Sequence, residues 1–165
     1  MEEWESAVDG EAGSKILRMM PGGIYVITSR DERGPHAMTA SWVMQVAKKP
    51  PMLAVAVDRQ HTTAELIAKS QVFAVNLLPK DRADIAERCF TPYQRLGHVE
   101  PFADYTTGPT GAPLLTDALA TLECRVIQAV EPGDHILFIG QVVALDLRRE
   151  EPPLTLDDAG WHYGR

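Results

Sequence analysis

The sequence predicts a mainly β fold with a few short helices, in which the strands form a closed antiparallel barrel. At least five segments have the alternation or the β-branched and aromatic composition of strands, whereas only two or three short segments have helical features. Strands and helices do not alternate regularly, which argues against a doubly wound parallel sheet. With 165 residues, 45% of them hydrophobic, the chain has enough apolar material for one domain with a core.

The first elements are a short helix and a hairpin. Residues 1–13 are acidic and contain two glycines, which predicts a flexible tail, and Ser14 is a suitable N-cap for a helix over 15–20. Residues 24–28 are β-branched and aromatic, and the charged turn at 30–35 leads into a second strand.

That second strand, predicted over 38–46, has a period of two. One face is apolar and the other carries small hydroxyls: Met38, Ala40, Trp42, Met44 and Val46 share the first face, and Thr39, Ser41, Val43 and Gln45 share the second.

The middle of the chain contains two predicted strands and two predicted short helices. Residues 52–57 are apolar without alternation, as in a strand covered on both faces. Thr62 and Glu65 fit a capping box that opens a helix over 63–69. A strand over 72–78 follows, and then a helix over about 81–89 that presents one apolar side, formed by Ile85, Ala86 and Cys89.

The last third contains a long excursion and a long hairpin. Residues 91–113 are rich in Pro, Gly and Thr and predict an excursion or lid. Two strands over about 119–130 and 135–147 are joined by a Pro-Gly turn. The predicted organisation is therefore a tail over 1–13, a domain over 14–149 and an irregular C-terminal extension over 150–165.

Charge and cysteine usage exclude several classes of function. The chain has 16 Lys and Arg against 23 Asp and Glu, a formal net charge of −7, and its basic residues are scattered, which argues against nucleic acids and acidic membranes as partners. Cys89 and Cys124 are far apart and no secretion signal precedes them, which favours reduced thiols in the cytoplasm. The five histidines lack metal-ligand spacing, so no metal site is expected.

Candidate site residues have weak individual signals. The chain has no GxGxxG, P-loop or GxSxG pattern. Thr39 and Ser41 could hydrogen-bond a flat polar ring, although hydroxyls on a solvated strand face are ordinary. The helix start after 58–62 could hold a phosphate, although simple capping by Thr62 is the better explanation from these residues alone. His135 could donate a proton or could be a solvated turn residue.

The order of several segments resembles the flavin reductase-like family of FMN-binding split barrels. The first half of the resemblance consists of GPHAMTASWVMQV (34–46), PPMLAVAV (50–57) and FAVNLL (73–78). The second half consists of GAPLL (111–115), LECRV (122–126), Gly-Asp-His (133–135) and IGQV (139–142). Together they cover about residues 21–145.

The resemblance implies an antiparallel Greek-key split barrel that forms a homodimer and binds FMN, or less often FAD, near the interface. Site residues transfer where the motifs match. The expected cofactor-binding residues are Met38, Thr39, Ala40, Ser41, Trp42, Ala56, Val57, Asp58, Thr62 and Thr63. The same match places His135 beside the flavin and the incoming nicotinamide as the catalytic residue. Helix amides, threonine hydroxyls and Arg59 or Lys80 are the candidates for offsetting the phosphate charge.

Three hypotheses about function are compatible with the sequence. The first is an enzyme, an NADH- or NADPH-dependent flavin reductase whose reduced flavin can supply a separate oxygenase. The second is a flavoprotein that holds FMN tightly and passes electrons between proteins without turning over added flavin. The third is a split barrel that binds another small molecule. Because the chain has no Rossmann segment, the first hypothesis requires the nicotinamide cofactor to bind only transiently.

Overall fold

The computed structural model describes residues 8–90 and 103–162. Nine strands lie within these ranges: β1 Tyr25–Asp31, β2 Gly34–Ala40, β3 Val43–Lys48, β4 Pro51–Asp58, β5 Val72–Leu77, β6 Tyr105–Thr107, β7 Pro113–Leu115, β8 Ala120–Val130 and β9 His135–Leu147. Its α-helices are α1 Glu11–Arg18, α2 Thr62–Ser70, α3 Ala83–Phe90 and α4 Leu156–Ala159, and a 3₁₀ turn at Lys80–Arg82 precedes α3.

Seven of the strands form one antiparallel sheet in the order β2-β1-β5-β8-β9-β4-β3, and β6 pairs with β7 separately. A flat sheet of seven strands would be about 29 Å wide at about 4.8 Å per strand. The chain nevertheless passes from edge strand β2 to edge strand β3 through two residues, Ser41 and Trp42, which span at most about 11 Å. The sheet must therefore curl until its two edges almost meet, and this link is called the crossover below.

The mainly β, antiparallel prediction is confirmed, but the pairing differs from that of a closed barrel. Among the described strands, β2 pairs only with β1 and β3 pairs only with β4, so the ladder is open between the two edges. The crossover occupies the position where a closed barrel would continue the ladder.

Two hydrophobic cores lie on the two faces of the curled sheet. The inner core is built around Ile27, Val55, Phe73 and Phe138, each with at most 1% of its surface exposed. The outer core lies beneath α3 and the C-terminal segment and is built around Ile24, Leu78, Ile85, Cys89, Leu115 and Leu154. Since alternate residues of β2 point to opposite faces, Met38 and Ala40 enter the inner core while Ala37 enters the outer one.

The C-terminal segment is part of this outer core. The Leu154 carbonyl accepts a hydrogen bond from the Ile24 amide at 3.1 Å, and the Leu154 amide donates to the Leu78 carbonyl at 2.8 Å. Leu154 and Leu156 are 1% and 7% exposed. The described part of the predicted extension is therefore packed against the domain, while the division into tail, domain and extension stays a prediction.

The prediction of one continuous strand over 38–46 is wrong. The strand breaks at the crossover, and β3 takes its register from β4, where Val43 lies opposite Val55. This register turns Val43 toward the inner core and leaves Met44 and Val46 64% and 43% exposed, the reverse of the predicted alternation.

Helix starts also differ from their predictions. The first helix begins at Glu11, so Ser14 lies inside it. Helix α2 is capped by His61, whose Nδ1 accepts a hydrogen bond from the Thr63 amide at 3.3 Å, and not by a Thr62–Glu65 box.

Other predictions are confirmed. The strand over 52–57 corresponds to β4, the long hairpin corresponds to β8 and β9, and α3 buries Ile85, Ala86 and Cys89. Most of the predicted excursion over 91–113 lies outside the described residues, and its last part leads into β6 and β7. No helix in the described ranges is long and apolar enough to cross a membrane, and the predicted cytoplasmic location stays a prediction.

Candidate functional site

The crossover carries a buried hydroxyl that has no hydrogen-bond partner within residues 8–90 and 103–162. Ser41 is 8% exposed, and its Oγ meets no donor or acceptor among the described residues. The backbone here is held firmly, because the Val43 amide donates to the Ser41 carbonyl at 3.1 Å and the Ala56 amide donates to the Trp42 carbonyl at 3.0 Å. A buried hydroxyl without a partner lowers stability, and a polar ligand that hydrogen-bonded Ser41 would remove this cost.

Ser41 opens into a cavity of about 610 Å³ between β2, α1, α3 and the C-terminal segment. Thr39 also lines it, with its Oγ1 donating to the Ala86 carbonyl at 2.6 Å. The opposite wall carries the rings of Phe90 and Trp161, whose centroids are 5.8 Å apart. A volume of this size and a wall of aromatic rings with a few polar groups are typical of small-molecule sites.

A second buried hydroxyl, that of Thr63, lies at the start of α2. Thr63 is fully buried, and its Oγ1 has no hydrogen-bond partner among the described residues. His61 caps the helix as a neutral acceptor, and burial lowers the pKa of its imidazole, which favours that neutral form. The loop before the helix is shaped by Asp58, whose Oδ1 accepts from the Gln60 amide at 2.8 Å. Helix N-termini of this kind attract anions.

The hairpin turn between β8 and β9 carries His135. Its Nδ1 lies 2.6 Å from Oδ1 of Asp134, and only 7% of the residue is exposed. The Trp42 ring packs against the imidazole, with centroids 4.7 Å apart and a tilt of 46°. In the β4–β9 pairing His135 lies opposite Asp58, so the turn and the loop before α2 are neighbours. The hydrogen bond from His135 holds the pKa of the exposed Asp134 carboxyl below its usual value.

The two basic residues predicted as phosphate partners have other contacts. Arg59 donates its amide to the Asp134 carbonyl at 3.0 Å and its Nη2 to the Gly133 carbonyl at 2.9 Å. Lys80 lies 3.2 Å from Oδ1 of Asp158.

The structure divides the predicted site residues into two groups that meet at the crossover. Thr39, Ala40 and Ser41 line the cavity, whereas Trp42, Asp58 and His135 lie on the β4–β9 side with the loop that leads to Thr62 and Thr63. The side chains of Met38 and Val57 lie in the inner core, so only their backbone could meet a ligand. No group of three or more potential metal ligands occurs among the described residues.

Sequence reasoning missed the walls of the cavity. Phe90 lies at the last position of α3, and Trp161 lies two residues after the end of α4. Neither position belongs to a motif. Their aromatic character was the only available signal, and it did not indicate that 70 residues of intervening chain would bring the two rings together.

The fold and the site define a class: a mainly β protein whose sheet edge carries a cavity of the size that small molecules occupy. The chain belongs to the family described as flavin reductase like domain, whose family model matches residues 17–164. It is 33% identical over 150 residues to the flavin reductase (NADH) of Kitasatospora aureofaciens, covering 88% of this chain and 76% of that protein. It is 33% identical over 141 residues to the FMN reductase (NADH) of Acinetobacter baylyi, covering 84% of this chain and 73% of that protein.

A solved structure agrees with these relatives. The styrene monooxygenase flavin reductase of Pseudomonas putida S12 superposes with a TM-score of 0.75 at 26% identity, covering 85% of this chain and 89% of that one. The chain also matches part of a larger protein, diflavin flavoprotein A 1 of Synechocystis sp., at 34% identity, but spans only 22% of its length. The predicted family and the predicted flavin reductase class of enzyme are confirmed.

Proposed function

We propose that this chain transfers a hydride from NADH or NADPH to FMN held at the crossover, and that the reduced flavin is used by a separate oxygenase. The observation that carries the proposal is the pair of buried hydroxyls, Ser41 and Thr63, for which the described part of the chain offers no partner. They lie in the two segments that the family resemblance assigns to flavin binding. A ligand that hydrogen-bonded both hydroxyls would remove the cost of burying them.

The residues present fit a flavin mononucleotide. Ser41 and Thr39 can hydrogen-bond the polar edge of a ring system, and the aromatic wall of the cavity offers an apolar surface for planar groups. Thr63 and the amides at the start of α2 can hold a phosphate in a chain whose net charge is −7. When bound, the flavin supplies a ring that accepts a hydride from the nicotinamide.

His135 is the proposed catalytic residue. Because its Nδ1 is 2.6 Å from the Asp134 carboxylate, Nε2 is the atom through which it would hydrogen-bond a reacting group. Burial under the Trp42 ring limits the access of water to the imidazole. The protein would thus orient the rings and hold a proton near them, and no covalent nucleophile is needed.

Homodimer formation is part of the proposal. Strands β3, β8 and β9 expose large apolar side chains, of which Met44, Ile127, Leu145 and Leu147 are 51–70% exposed. A second copy of the chain would cover this surface. Since β3 begins directly after the crossover, a partner bound there would lie next to the site. Light scattering coupled to size exclusion measures the oligomeric state, and a monomer at micromolar concentration would contradict this part.

The test begins with the absorbance spectrum of the purified protein and identification of the flavin released on denaturation. Stopped-flow mixing with NADH and with NADPH then follows the bleaching of bound flavin. Bleaching by at least one of them, with turnover of added FMN, supports the reductase. Tight FMN without turnover of added flavin supports an electron carrier instead. Failure of both nucleotides to bleach the flavin would sink the proposed reaction.

The oxygenase partner is supported by relatives whose names include it, such as the styrene monooxygenase flavin reductase. A reductase of this kind needs to release its reduced flavin. The dissociation constant of reduced FMN, measured anaerobically, is expected to exceed that of oxidised FMN, and the opposite order would favour a tightly held prosthetic group.

A further inference from the structure

We propose that Arg59 and Asp134 are positioning residues that fix the orientation of the His135 imidazole, so that neither is a ligand of the flavin phosphate. This inference rests on the proposed function, because it assumes that His135 acts in flavin reduction. It also revises the expectation that Arg59 offsets the phosphate charge.

Arg59 forms hydrogen bonds to the β8–β9 turn through both its backbone and its side chain. Its amide and its guanidinium donate to two successive carbonyls, those of Asp134 and Gly133, at 3.0 and 2.9 Å. These carbonyls immediately precede His135, so the two hydrogen bonds set the path of the backbone that delivers the imidazole. The guanidinium bond spans 74 residues of sequence and joins the loop before α2 to the β8–β9 turn.

Asp134 acts on the ring itself. The 2.6 Å separation between its Oδ1 and His135 Nδ1 is a short hydrogen bond to a charged acceptor. This contact places the proton on Nδ1 and thereby selects the tautomer in which Nε2 is the opposite, reactive atom. Asp134 is itself almost fully exposed, so the interaction serves orientation and adds little to stability.

The third constraint is the Trp42 ring, which packs on the imidazole from the crossover. The imidazole of His135 is therefore contacted at Nδ1, on one face and through its backbone, by residues from three different segments. An imidazole that must meet a transient nicotinamide complex gains rate from such preorganisation, because the reacting geometry is set before the cofactor arrives.

The experiment compares Arg59→Ala, Asp134→Ala and Asp134→Asn by two measurements, the dissociation constant of FMN and the single-turnover rate of flavin reduction at saturating NADH or NADPH. We expect FMN affinity within twofold of the wild type in all three variants. Reduction should slow at least tenfold in Asp134→Ala and at least threefold in Arg59→Ala. Asp134→Asn keeps an acceptor for Nδ1 and should recover most of the rate.

Two comparisons separate positioning from a general structural effect. Adding either alanine substitution to a His135→Ala background should cause no further loss of rate, because both residues act through that imidazole. Asp31→Ala is the matched control: this carboxylate also bonds a neighbouring side chain within a hairpin turn, Arg33 at 2.8 Å, but at the β1–β2 turn. It should leave both the affinity and the rate unchanged.

A third measurement does not depend on activity. In the FMN-free protein, nitrogen-correlated proton NMR of the imidazole should show a protected Nδ1 proton in the wild type and in Asp134→Asn, and its loss in Asp134→Ala. An unprotected proton in the wild type would overturn the role of Asp134. A tenfold weaker FMN affinity with a normal rate in Arg59→Ala would make Arg59 a phosphate ligand. If neither the wild type nor any variant reduces flavin, the proposed function fails. The NMR result still tests whether Asp134 orients the His135 imidazole.

Discussion

Replacing Thr63 by valine should stabilise the FMN-free protein and weaken FMN binding at the same time. Valine keeps the shape and the branching of threonine, so the substitution removes only the hydroxyl. That hydroxyl is fully buried and has no partner among the described residues. An unsatisfied buried group of this type costs about 1–3 kcal/mol, and removing it should raise the free energy of unfolding by that amount.

Both effects are large enough to measure. For a chain of 165 residues, each kcal/mol corresponds to a rise in Tm of about 2–4 °C. A hydrogen bond from the hydroxyl to a charged phosphate contributes about 1.5–3 kcal/mol, so its loss should raise the Kd for FMN by about 10- to 150-fold. Thermal unfolding followed by circular dichroism gives the first quantity, and flavin fluorescence titration gives the second.

Thr28→Val is the matched control. Thr28 is also fully buried on the main sheet, but its Oγ1 donates to the Pro113 carbonyl at 2.5 Å and lies 3.2 Å from Nδ2 of Asn76. The same substitution should therefore destabilise the protein without changing FMN affinity. If Thr63→Val lowers Tm as Thr28→Val does, the Thr63 hydroxyl has a partner within the protein. If its FMN affinity equals that of the wild type, Thr63 does not contact the flavin.

Three further predictions follow from the same contacts. Ser41→Ala should raise the stability of the FMN-free protein slightly and weaken FMN binding by about 1–3 kcal/mol. Calorimetry of unfolding measures the first effect and flavin titration the second, and an unchanged affinity for FMN would remove Ser41 from the site. Burial raises the pKa of the Cys89 and Cys124 thiols to about 12, so neither should react with a disulfide reagent at pH 8 until the protein unfolds, and fast labelling of the native protein would contradict this. Burial lowers the pKa of His61 below its usual 6.5, so its contribution to stability is complete above pH 6.5 and is lost as pH falls toward the folded-state pKa. His61→Asn keeps a capping side chain and should flatten this part of the pH profile of Tm. An identical profile in the variant would exclude His61 as its source.

The sequence predicts most elements of this fold because their signals are local. The apolar run at 52–57 and the Pro-Gly turn before His135 determine a buried strand and a hairpin from their own residues. The break at the crossover is not local. Residues 38–46 alternate well enough for one strand, and only pairing of β3 with β4, on the far edge of the curled sheet, forces the chain to turn at Ser41.

The N-cap of α2 is another feature that local sequence did not predict. Thr62 followed by Glu65 matches the pattern of a capping box, but a histidine one residue earlier provides the acceptor instead. The choice depends on burial, because an imidazole caps a helix through its neutral form and the surroundings of His61 favour that form. The composition of the segment does not show which residue will be the N-cap.

The candidate site required both sources of information. Motif order placed Ser41, Thr63 and His135 on the list of flavin contacts, but a motif cannot tell a hydroxyl that is satisfied from one that is not. Thr39 was predicted with Ser41 on the same strand face, and the structure distinguishes them: Thr39 donates to the carbonyl of Ala86, while Ser41 has no partner within the described residues. We therefore expect Ser41→Ala to weaken FMN binding more than Thr39→Ala does. The ratio of the two dissociation constants tests whether a hydroxyl that is unsatisfied in the FMN-free protein marks a contact with the ligand.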